Sequence, residues 1–173
     1  MHNAANYRGL HLTCILSKVA ERVLKVALGS YFEAVEAFGA TQFAFRKNLG
    51  CFDLLLLLMC TWLLAFQRRE KIGVFLSDIA GAFDRVDARK MIDKLKRLGV
   101  CDAFIDLLTK YLRPRTARVV VDGAESYDFV LEDMLFQGTV WGPTLWNVFF
   151  ADVHGPAVAT GCEERRFADD GWT

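Results

Sequence analysis

The hydrophobic pattern in the first third of the chain predicts two helices. One starts near residue 15, because apolar residues recur there in steps of three and four, and we expect it to stop near Gly29. The other contains Leu54 to Phe66 (LLLLLMCTWLLAF), which is apolar except for Thr61. This run is shorter than the roughly 20 residues that cross a bilayer, so we expect a helix buried on most sides and no membrane span. The apolar positions of the first helix are Ile15, Leu16, Val19, Ala20, Val23, Leu24 and Ala27.

Further along, short apolar runs predict strands. Ile72 to Ser77 (IGVFLS) is rich in β-branched and aromatic residues, which indicates a buried strand that runs into Asp78. Two more strand candidates are Thr116 to Val121 and Tyr127 to Leu131. The Asp-Gly pair at 122–123 between them is typical of a tight hairpin turn.

Three helices are predicted between and after these strands. The first follows Asp87 and ends at Gly99, a residue type favoured where the chain leaves a helix. The second fits Phe104 to Leu112, with Asp102 as its cap. The third has Pro143 in its first turn, where proline is tolerated. Helices and strands mixed in this way indicate an α+β domain.

Composition narrows the class of protein without deciding its function. Of the 173 residues, 53% are apolar and 13% aromatic, which is typical of a globular domain. Lys plus Arg and Asp plus Glu number 21 each, so any basic groove for phosphates would have to be local. The five cysteines form no CxxC pair, and we expect reduced, buried thiols in an intracellular protein. They are Cys14, Cys51, Cys60, Cys101 and Cys162.

Three carboxylates are the candidates for chemistry. Asp78 directly follows a predicted strand, where it either caps a turn or faces a cleft and binds a cation. Asp169 and Asp170 are adjacent and repel each other, so they need solvation or a compensating charge, which magnesium could supply. Together the three could hold two metal ions roughly 3.5–4 Å apart for displacement at phosphorus. This constellation alone does not separate a polymerase from a nuclease.

Five segments in order match the motifs of one family. They are NYRGLHLTCILSKVAERVL (Asn6 to Leu24), QFAFRK (Gln42 to Lys47), SDIAGAFDRVD (Ser77 to Asp87), FQGTVWGPTLWNVFF (Phe136 to Phe150) and FADD (Phe167 to Asp170). They are similar to an NYRPI lead-in with an LSKxxER helix, a QxGFR fingers motif, a palm motif with the first catalytic Asp, a PQGxxLGPxLF motif and a YADD box. Almost the whole chain therefore resembles the reverse transcriptase domain of non-LTR (LINE-type) retrotransposons.

The resemblance implies an α+β right-hand polymerase fold. Helical fingers would occupy about residues 1–71, and the palm, about 72–173, would be a small, largely antiparallel sheet backed by helices. No segment of the chain matches the thumb that follows FADD in this family, which implies a fragment of a longer reading frame or a decayed copy. A nuclear location is expected for the family, although no targeting signal is visible.

The implied activity is RNA-directed DNA synthesis. Its partners would be an RNA template, a DNA primer and dNTPs, with two Mg²⁺ ions as cofactors and Mn²⁺ as a substitute; protein partners stay open. The alternative is a catalytically inactive remnant with at most weak nucleic-acid binding. A two-metal nuclease is a further alternative, which the match of Gln137 and Gly138 to the family's QG loop disfavours. An RNA-templated RNA polymerase is another, which Phe83 disfavours.

The resemblance also assigns roles at the reaction centre. Asp78 and Asp169 would hold the two metal ions, with Asp170 completing the acidic cluster. Phe83 matches the aromatic residue that packs under the sugar of the incoming nucleotide. A ring face there leaves neither room nor a partner for a 2′-hydroxyl, the group that separates RNA precursors from DNA precursors.

Four more residues are assigned to nucleotide handling by the same resemblance. Arg46 and Lys47 correspond to the fingers residues that grip the triphosphate, through paired donors and a point charge. Gln137 and Gly138 match the loop that lies against the incoming nucleotide and the template. Glycine in that loop permits close approach of the backbone.

Four positions depart from the family pattern. Gly9 and Phe136 stand where proline is usual, and Trp141 replaces a smaller aliphatic residue. Ala44 stands where glycine is usual, and we expect strain there if the position requires a positive φ.

Overall fold

The computed structural model describes residues 10–131, 135–153 and 161–172. Helices and short strands are mixed within these ranges, which confirms the α+β prediction. The helices are α1 (Ile15–Ala34), α2 (Cys51–Gln67), α3 (Ala88–Arg97), α4 (Asp102–Tyr111) and α5 (Gly142–Phe150). The strands are β1 (Leu76–Ser77), β2 (Arg115–Ala117), β3 (Val120–Val121), β4 (Ala124–Glu125), β5 (Phe129–Leu131), β6 (Arg165–Phe167) and β7 (Asp170–Trp172). Positions 1–9, including the start of the NYR segment and the Gly9 departure, lie outside the described residues.

The largest sheet joins the middle of the chain to its end. β7 lies between β1 and β6, and both pairings are antiparallel. Ser77 of β1 is paired with Gly171 of β7, and Phe167 of β6 with Asp170 of β7. The predicted hairpin forms two short ladders, β2 with β5 and β3 with β4. All the pairs between these strands are antiparallel, as expected for a small palm sheet.

The hydrophobic core lies between α3, α4, α5 and the C-terminal half of α1. Phe32, Met91, Leu95 and Leu108 are fully buried, and Leu145 is almost so. Met91 and Leu95 lie four positions apart, so α3 presents one apolar face to the core, whereas α5 is buried on most sides. The core therefore forms a helical support for the site-bearing segments.

Several local predictions are confirmed. Gly99, with φ +78°, follows α3 directly after its C-cap Leu98. Asp122 and Gly123 have φ of +50° and +82°, the left-handed conformation of a tight hairpin turn. Pro143 lies in the first turn of α5.

The first helix differs from its prediction in length and in the face that it buries. α1 continues through Gly29 to Ala34, because burial of Phe32 offsets the roughly 1 kcal/mol that an interior glycine costs. The positions that predicted the apolar face, such as Ile15 and Val23, are exposed. Its buried residues are instead Glu21, Leu28 and Phe32.

The prediction that the second helix is buried on most sides is wrong. Of the α2 residues, Leu54 is buried, whereas Phe52, Leu56 and Phe66 are more than half exposed. Among the described elements α2 packs mainly against β6, and one short strand cannot cover a helix that is apolar all round. Within the described ranges, no helix has both the length and the hydropathy to cross a bilayer.

The predicted buried strand is shorter and more exposed than expected. β1 comprises Leu76 and Ser77, both exposed, because it lies at the edge of its sheet with β7 on one side. The cap of α4 is Cys101, and Asp102 is the first helical residue instead. A carboxylate there still interacts favourably with the positive end of the helix dipole.

The expectation of buried thiols is also wrong. Cys14 and Cys101 immediately precede α1 and α4 as their N-cap residues, and Cys51 is the first residue of α2, so they lie at exposed helix ends. Cys60 is on the exposed helix α2. All five cysteines are exposed.

Asp87 provides a test of helix capping. Its carboxylate accepts the N–H groups of Arg89 and Lys90 at 2.8 and 3.0 Å, and the Lys90 amide is the main reason why the pKa of Asp87 lies below its ordinary value of 3.8. A lowered pKa means that the carboxylate stabilises the fold above about pH 4, and that this contribution disappears as the pH falls further. Asp87→Ala should lower the free energy of unfolding by about 1 kcal/mol at neutral pH.

Urea unfolding at pH 7 and pH 3 would measure this effect. The difference between parent and variant should shrink at the lower pH, while the matched change Asp93→Ala on the exposed side of α3 should have little effect at either pH. A difference that grows on acidification would contradict this account.

Candidate active site

The three predicted carboxylates lie at one end of the β1–β7–β6 sheet. Asp78 follows β1, whereas Asp169 lies in the β6–β7 turn and Asp170 begins β7. Because Ser77 is paired with Gly171, continuing the register by one residue leads to Asp78 on one strand and Asp170 on the other. The sheet topology thus brings together residues that are about ninety positions apart in the sequence.

The electrostatics agree with this proximity. Burial, followed by the charges of Asp169 and Asp78, raises the pKa of Asp170 above its ordinary value. None of the three forms an ion pair with a cation in the part of the chain that the structure describes. Their shared negative charge is therefore uncompensated there, and a set of hard oxygen donors with this charge suits a divalent cation such as Mg²⁺.

Within the described ranges, no three His, Cys, Asp or Glu side chains are arranged so that they could already hold a metal ion. The structure thus brings Asp78, Asp169 and Asp170 into mutual electrostatic range without a preformed set of ligands. Their role as metal ligands stays a prediction.

The turn that carries Asp169 has an unusual backbone. Ala168, buried with 9% exposure, has φ +58°, whereas neither Asp169 nor Asp170 has a positive φ. In a type II′ hairpin turn only the first of the two central residues has a positive φ, and glycine is preferred at that position. An alanine in the left-handed region costs roughly 1–2 kcal/mol, so its surroundings must hold it there.

The Gln42 side chain supplies that restraint. Gln42 Nε2 donates to Ala168 O at 3.0 Å, and Ala168 N donates to Gln42 Oε1 at 2.9 Å. Trp146 Nε1 donates to the same carbonyl at 3.1 Å. Both backbone polar groups of Ala168 are therefore bonded to side chains from distant segments.

The backbone around Gln42 is itself fixed alongside β6. Arg166 N donates to Thr41 O at 2.9 Å, and Phe43 N donates to Arg166 O at 3.0 Å. Residues 41–43 thus pair with β6 in a parallel bridge on the side opposite β7. The QFAFRK segment and the FADD segment form one hydrogen-bonded unit.

Phe83 lies next to this unit. It is half-buried in a single 3₁₀ turn and stacks on Trp146, with ring centroids 5.5 Å apart and planes 25° apart. A Cβ added to Gly142 would lie 3.6 Å from its ring. Trp146 therefore contacts both the predicted sugar-contacting ring and the acidic turn.

The loop with Gln137 and Gly138 is held by His11. His11 N donates to Gln137 O at 3.0 Å, and Gln137 N donates to His11 Nδ1 at 3.1 Å. Gly138 has φ +102°, and a Cβ there would meet His11 O at 3.0 Å. Glycine is required at this position both for its conformation and for the close approach of another backbone segment.

Glu21 is a structural residue that the motif analysis left without a role. It is 3% exposed, and its Oε2 accepts the N–H groups of Val140 and Trp141 at 2.6 and 3.2 Å. Its Oε1 accepts from Ser17 Oγ at 3.0 Å. A carboxylate at the start of α5 satisfies amides that have no partner within the helix and is favoured by the helix dipole.

The two predicted triphosphate contacts differ in their surroundings. Arg46 is paired with Glu33, with Nη2–Oε2 at 2.7 Å and Nε–Oε1 at 3.3 Å, and its Nη1 donates to Gly39 O at 3.0 Å. Lys47 is exposed. The guanidinium is therefore engaged in holding the segment after α1, and a phosphate would have to compete with Glu33 for it.

The departures from the family pattern are accommodated by packing. Ala44 is 1% exposed and does not have a positive φ, so the expected strain is absent there; the left-handed residue is its neighbour Phe45, with φ +59°. Phe136 is buried with the Arg115 guanidinium 4.5 Å from its ring centroid and His11 edge-on at 5.5 Å.

Trp141, the third described departure, is 3% exposed and packs edge-on against Tyr111 with centroids 5.2 Å apart. Burial, together with the nearby Glu21 carboxylate, raises the pKa of Tyr111 to about 12. The phenol therefore stays neutral at physiological pH, as its apolar surroundings require.

Three residues that organise the site were not assigned roles from the sequence: Gln42, Glu21 and Trp146. All three stand in the matched segments, but for Gln42 and Glu21 a buried polar residue cannot be distinguished from a surface one by its type alone. Trp146 follows the apolar periodicity of its helix, and its indole N–H gives no signal in a hydropathy pattern.

Comparisons with known proteins identify the family of the chain. The model of the family described as "Reverse transcriptase (RNA-dependent DNA polymerase)" matches residues 2–172. The RNA-directed DNA polymerase from mobile element jockey of Drosophila melanogaster is 33% identical over 171 residues, which covers 95% of this chain and 18% of that protein. The probable RNA-directed DNA polymerase from transposon BS of the same species is 30% identical over 170 residues. The chain thus spans under a fifth of the length of these relatives.

A solved structure of telomerase from Candida albicans, in complex with a fragment of telomeric RNA, shares the fold. Its TM-score is 0.56 at 12% sequence identity, and the match covers 91% of this chain and 30% of that one. The likeness confirms the expected polymerase fingers and palm fold.

Glu21 gives a direct test of how the end of the loop that leads from Gly138 into α5 is held. Glu21→Leu leaves the amides of Val140 and Trp141 without their acceptor, and an unsatisfied buried donor costs about 1–3 kcal/mol. We expect urea unfolding to show a loss of about 2 kcal/mol, with a smaller loss for Glu21→Gln, which keeps an acceptor oxygen. Glu70→Gln, at an exposed position after α2, is the control. A Leu variant as stable as the parent would show that the carboxylate does not hold the loop.

Proposed function

Because the chain belongs to the reverse transcriptase (RNA-dependent DNA polymerase) family, we propose that it is the fingers and palm portion of an RNA-directed DNA polymerase from a non-LTR retrotransposon. In this proposal the fingers comprise about residues 1–71 and the palm about residues 72–173. Its substrates are dNTPs, and its partners are an RNA template and a DNA primer. The site of action is the nucleus, as expected for the family.

The observation that carries the proposal is the gathering of Asp78, Asp169 and Asp170 at one end of the β1–β7–β6 sheet. Their mutual repulsion is what raises the pKa of Asp170 after burial. Carboxylates this close to one another repel, and a bound cation would relieve that repulsion. These three side chains would hold two Mg²⁺ ions, or Mn²⁺ in their place.

The bound metal ions would neutralise charge that develops as the primer 3′-oxygen displaces pyrophosphate from the α-phosphate of a dNTP. The protein's own contribution is to orient the reactants. Phe83, held by its stack on Trp146, presents a ring to the sugar. Gln137 and Gly138, held by His11, form a fixed loop for the incoming nucleotide. Lys47 is available as a point charge for the triphosphate, whereas Arg46 would first have to leave Glu33.

The proposal predicts that the carboxylates are essential for activity and dispensable for folding. Asp78→Asn and Asp169→Asn should each reduce magnesium-dependent primer extension on an RNA template to background. Because each change removes one of three mutually repelling charges, the Tm of thermal unfolding should be unchanged or slightly higher.

Asp93→Asn, an exposed carboxylate on α3, is the matched control and should extend primers like the parent. Full activity of either active-site variant would overturn the assignment. If neither parent nor variant extends, the alternative holds, and this chain by itself is an inactive remnant with at most weak nucleic-acid binding.

Phe83→Val should admit ribonucleotides, because a smaller side chain opens space for a 2′-hydroxyl. We expect the preference for dNTP over rNTP, taken as the ratio of kcat/KM values, to fall by about tenfold or more. Phe149→Val is a matched control, since Phe149 also packs against Trp146, at 6.5 Å between centroids. If both variants change sugar selectivity equally, Phe83 has no special role in selecting the sugar.

A further inference from the structure

We propose that Gln42 is a positioning residue for the acidic turn: its side-chain amide holds Ala168 in the left-handed conformation that presents Asp169 and Asp170 at the end of the β1–β7–β6 sheet. This inference rests on the proposed function, because the turn matters only if those carboxylates act. Gln42 lies 126 residues before Ala168 in the sequence. Nothing in the spacing of the motifs indicates the contact.

The geometry of the contact restrains the turn specifically. The amide satisfies both the N–H and the C=O of Ala168, which is how a neighbouring strand would bind a residue. Gln42 Oε1 also accepts from Ala44 N at 3.0 Å, so the side chain is itself fixed. At 2% exposure Gln42 lies away from solvent, and water cannot replace it without rearrangement.

The conformation that it holds needs this support. The β6–β7 turn has two central residues, Ala168 and Asp169, because Phe167 pairs directly with Asp170. With positive φ at Ala168 alone, the turn has the form that favours glycine at this position. A side chain that bonds both backbone groups of Ala168 stabilises this form against others that the alanine would prefer. Any other form would redirect Asp169, the next residue.

Trp146 provides a second donor to the same carbonyl. Its indole Nε1 donates to Ala168 O at 3.1 Å, while its ring stacks on Phe83. The turn is therefore held between the QFAFRK segment and α5. Partners that orient ligand residues without touching the metal typically change metal affinity by about 10–100-fold when they are lost.

The test uses the 173-residue chain and the variant Gln42→Met, which has a similar length and shape but cannot form these hydrogen bonds. Mn²⁺ binding is measured by electron paramagnetic resonance, and hydrogen exchange is measured at the Ala168 amide. We expect the Kd for Mn²⁺ to rise about tenfold or more and the Ala168 amide to lose its protection. Primer extension should then require more Mg²⁺ than in the parent, with less change in the KM for dNTP.

Tyr31→Phe is the matched control. It removes another hydrogen bond between a side chain and a distant backbone carbonyl, Tyr31 Oη to Leu98 O, in the helical core. This change should lower stability without altering Mn²⁺ affinity or Ala168 exchange. Equal effects of the two variants on Mn²⁺ binding would reduce Gln42 to a general stabilising role and overturn the inference.

The double variant Gln42→Met/Ala168→Gly provides a rescue that does not depend on overall stability. Glycine adopts positive φ without strain, so it should recover part of the lost Mn²⁺ affinity. No recovery would show that the conformation of residue 168 is not what Gln42 provides. If the parent binds no Mn²⁺, or if its Mn²⁺ binding is unchanged by Asp169→Asn, the proposed function fails. Normal binding by Gln42→Met overturns the inference alone.

Discussion

The left-handed backbone at Ala168 is the constraint on which the candidate site depends. A short hairpin turn must carry two adjacent carboxylates, and it does so with an alanine in a conformation that alanine disfavours. The structure resolves this by pairing residues 41–43 with β6 and placing the Gln42 amide on the turn. Local strain is thus offset by contacts between distant segments, as is common where a backbone carries functional groups.

Buried polar side chains hold the functional segments, while apolar packing forms the helical core. Glu21 anchors the start of α5, Gln42 the acidic turn, and Asn147 donates to Ala44 O at 2.7 Å. Each joins parts of the chain that lie more than one hundred residues apart. A buried hydrogen bond has a defined direction, and losing one partner is costly, so such contacts fix relative positions more exactly than apolar contacts do. Trp146 combines both kinds of contact, through its stack on Phe83 and its indole N–H.

The amino-acid sequence alone determined the fold class, the family and the place of the main elements. The motif order identified the chain as similar to reverse transcriptases, and α3, α5 and the hairpin turn at Asp122 lie where periodicity and turn chemistry predict them. These features depend on interactions between residues close in the chain, such as helix periodicity and capping, which a sequence pattern expresses directly.

Tertiary structure alone decided which faces are buried and what each polar residue touches. The apolar stripe of α1 and most of α2 are exposed, although hydropathy predicted burial, because burial depends on what packs against a helix and not on the helix itself. Arg46 is bound to Glu33 rather than free, and the strain expected at Ala44 is found at Phe45 and Ala168 instead. The sequence named the three carboxylates, whereas the antiparallel register of β1 with β7 brought them together. Strand pairing joins residues remote in the chain, and no local pattern encodes which strands will meet.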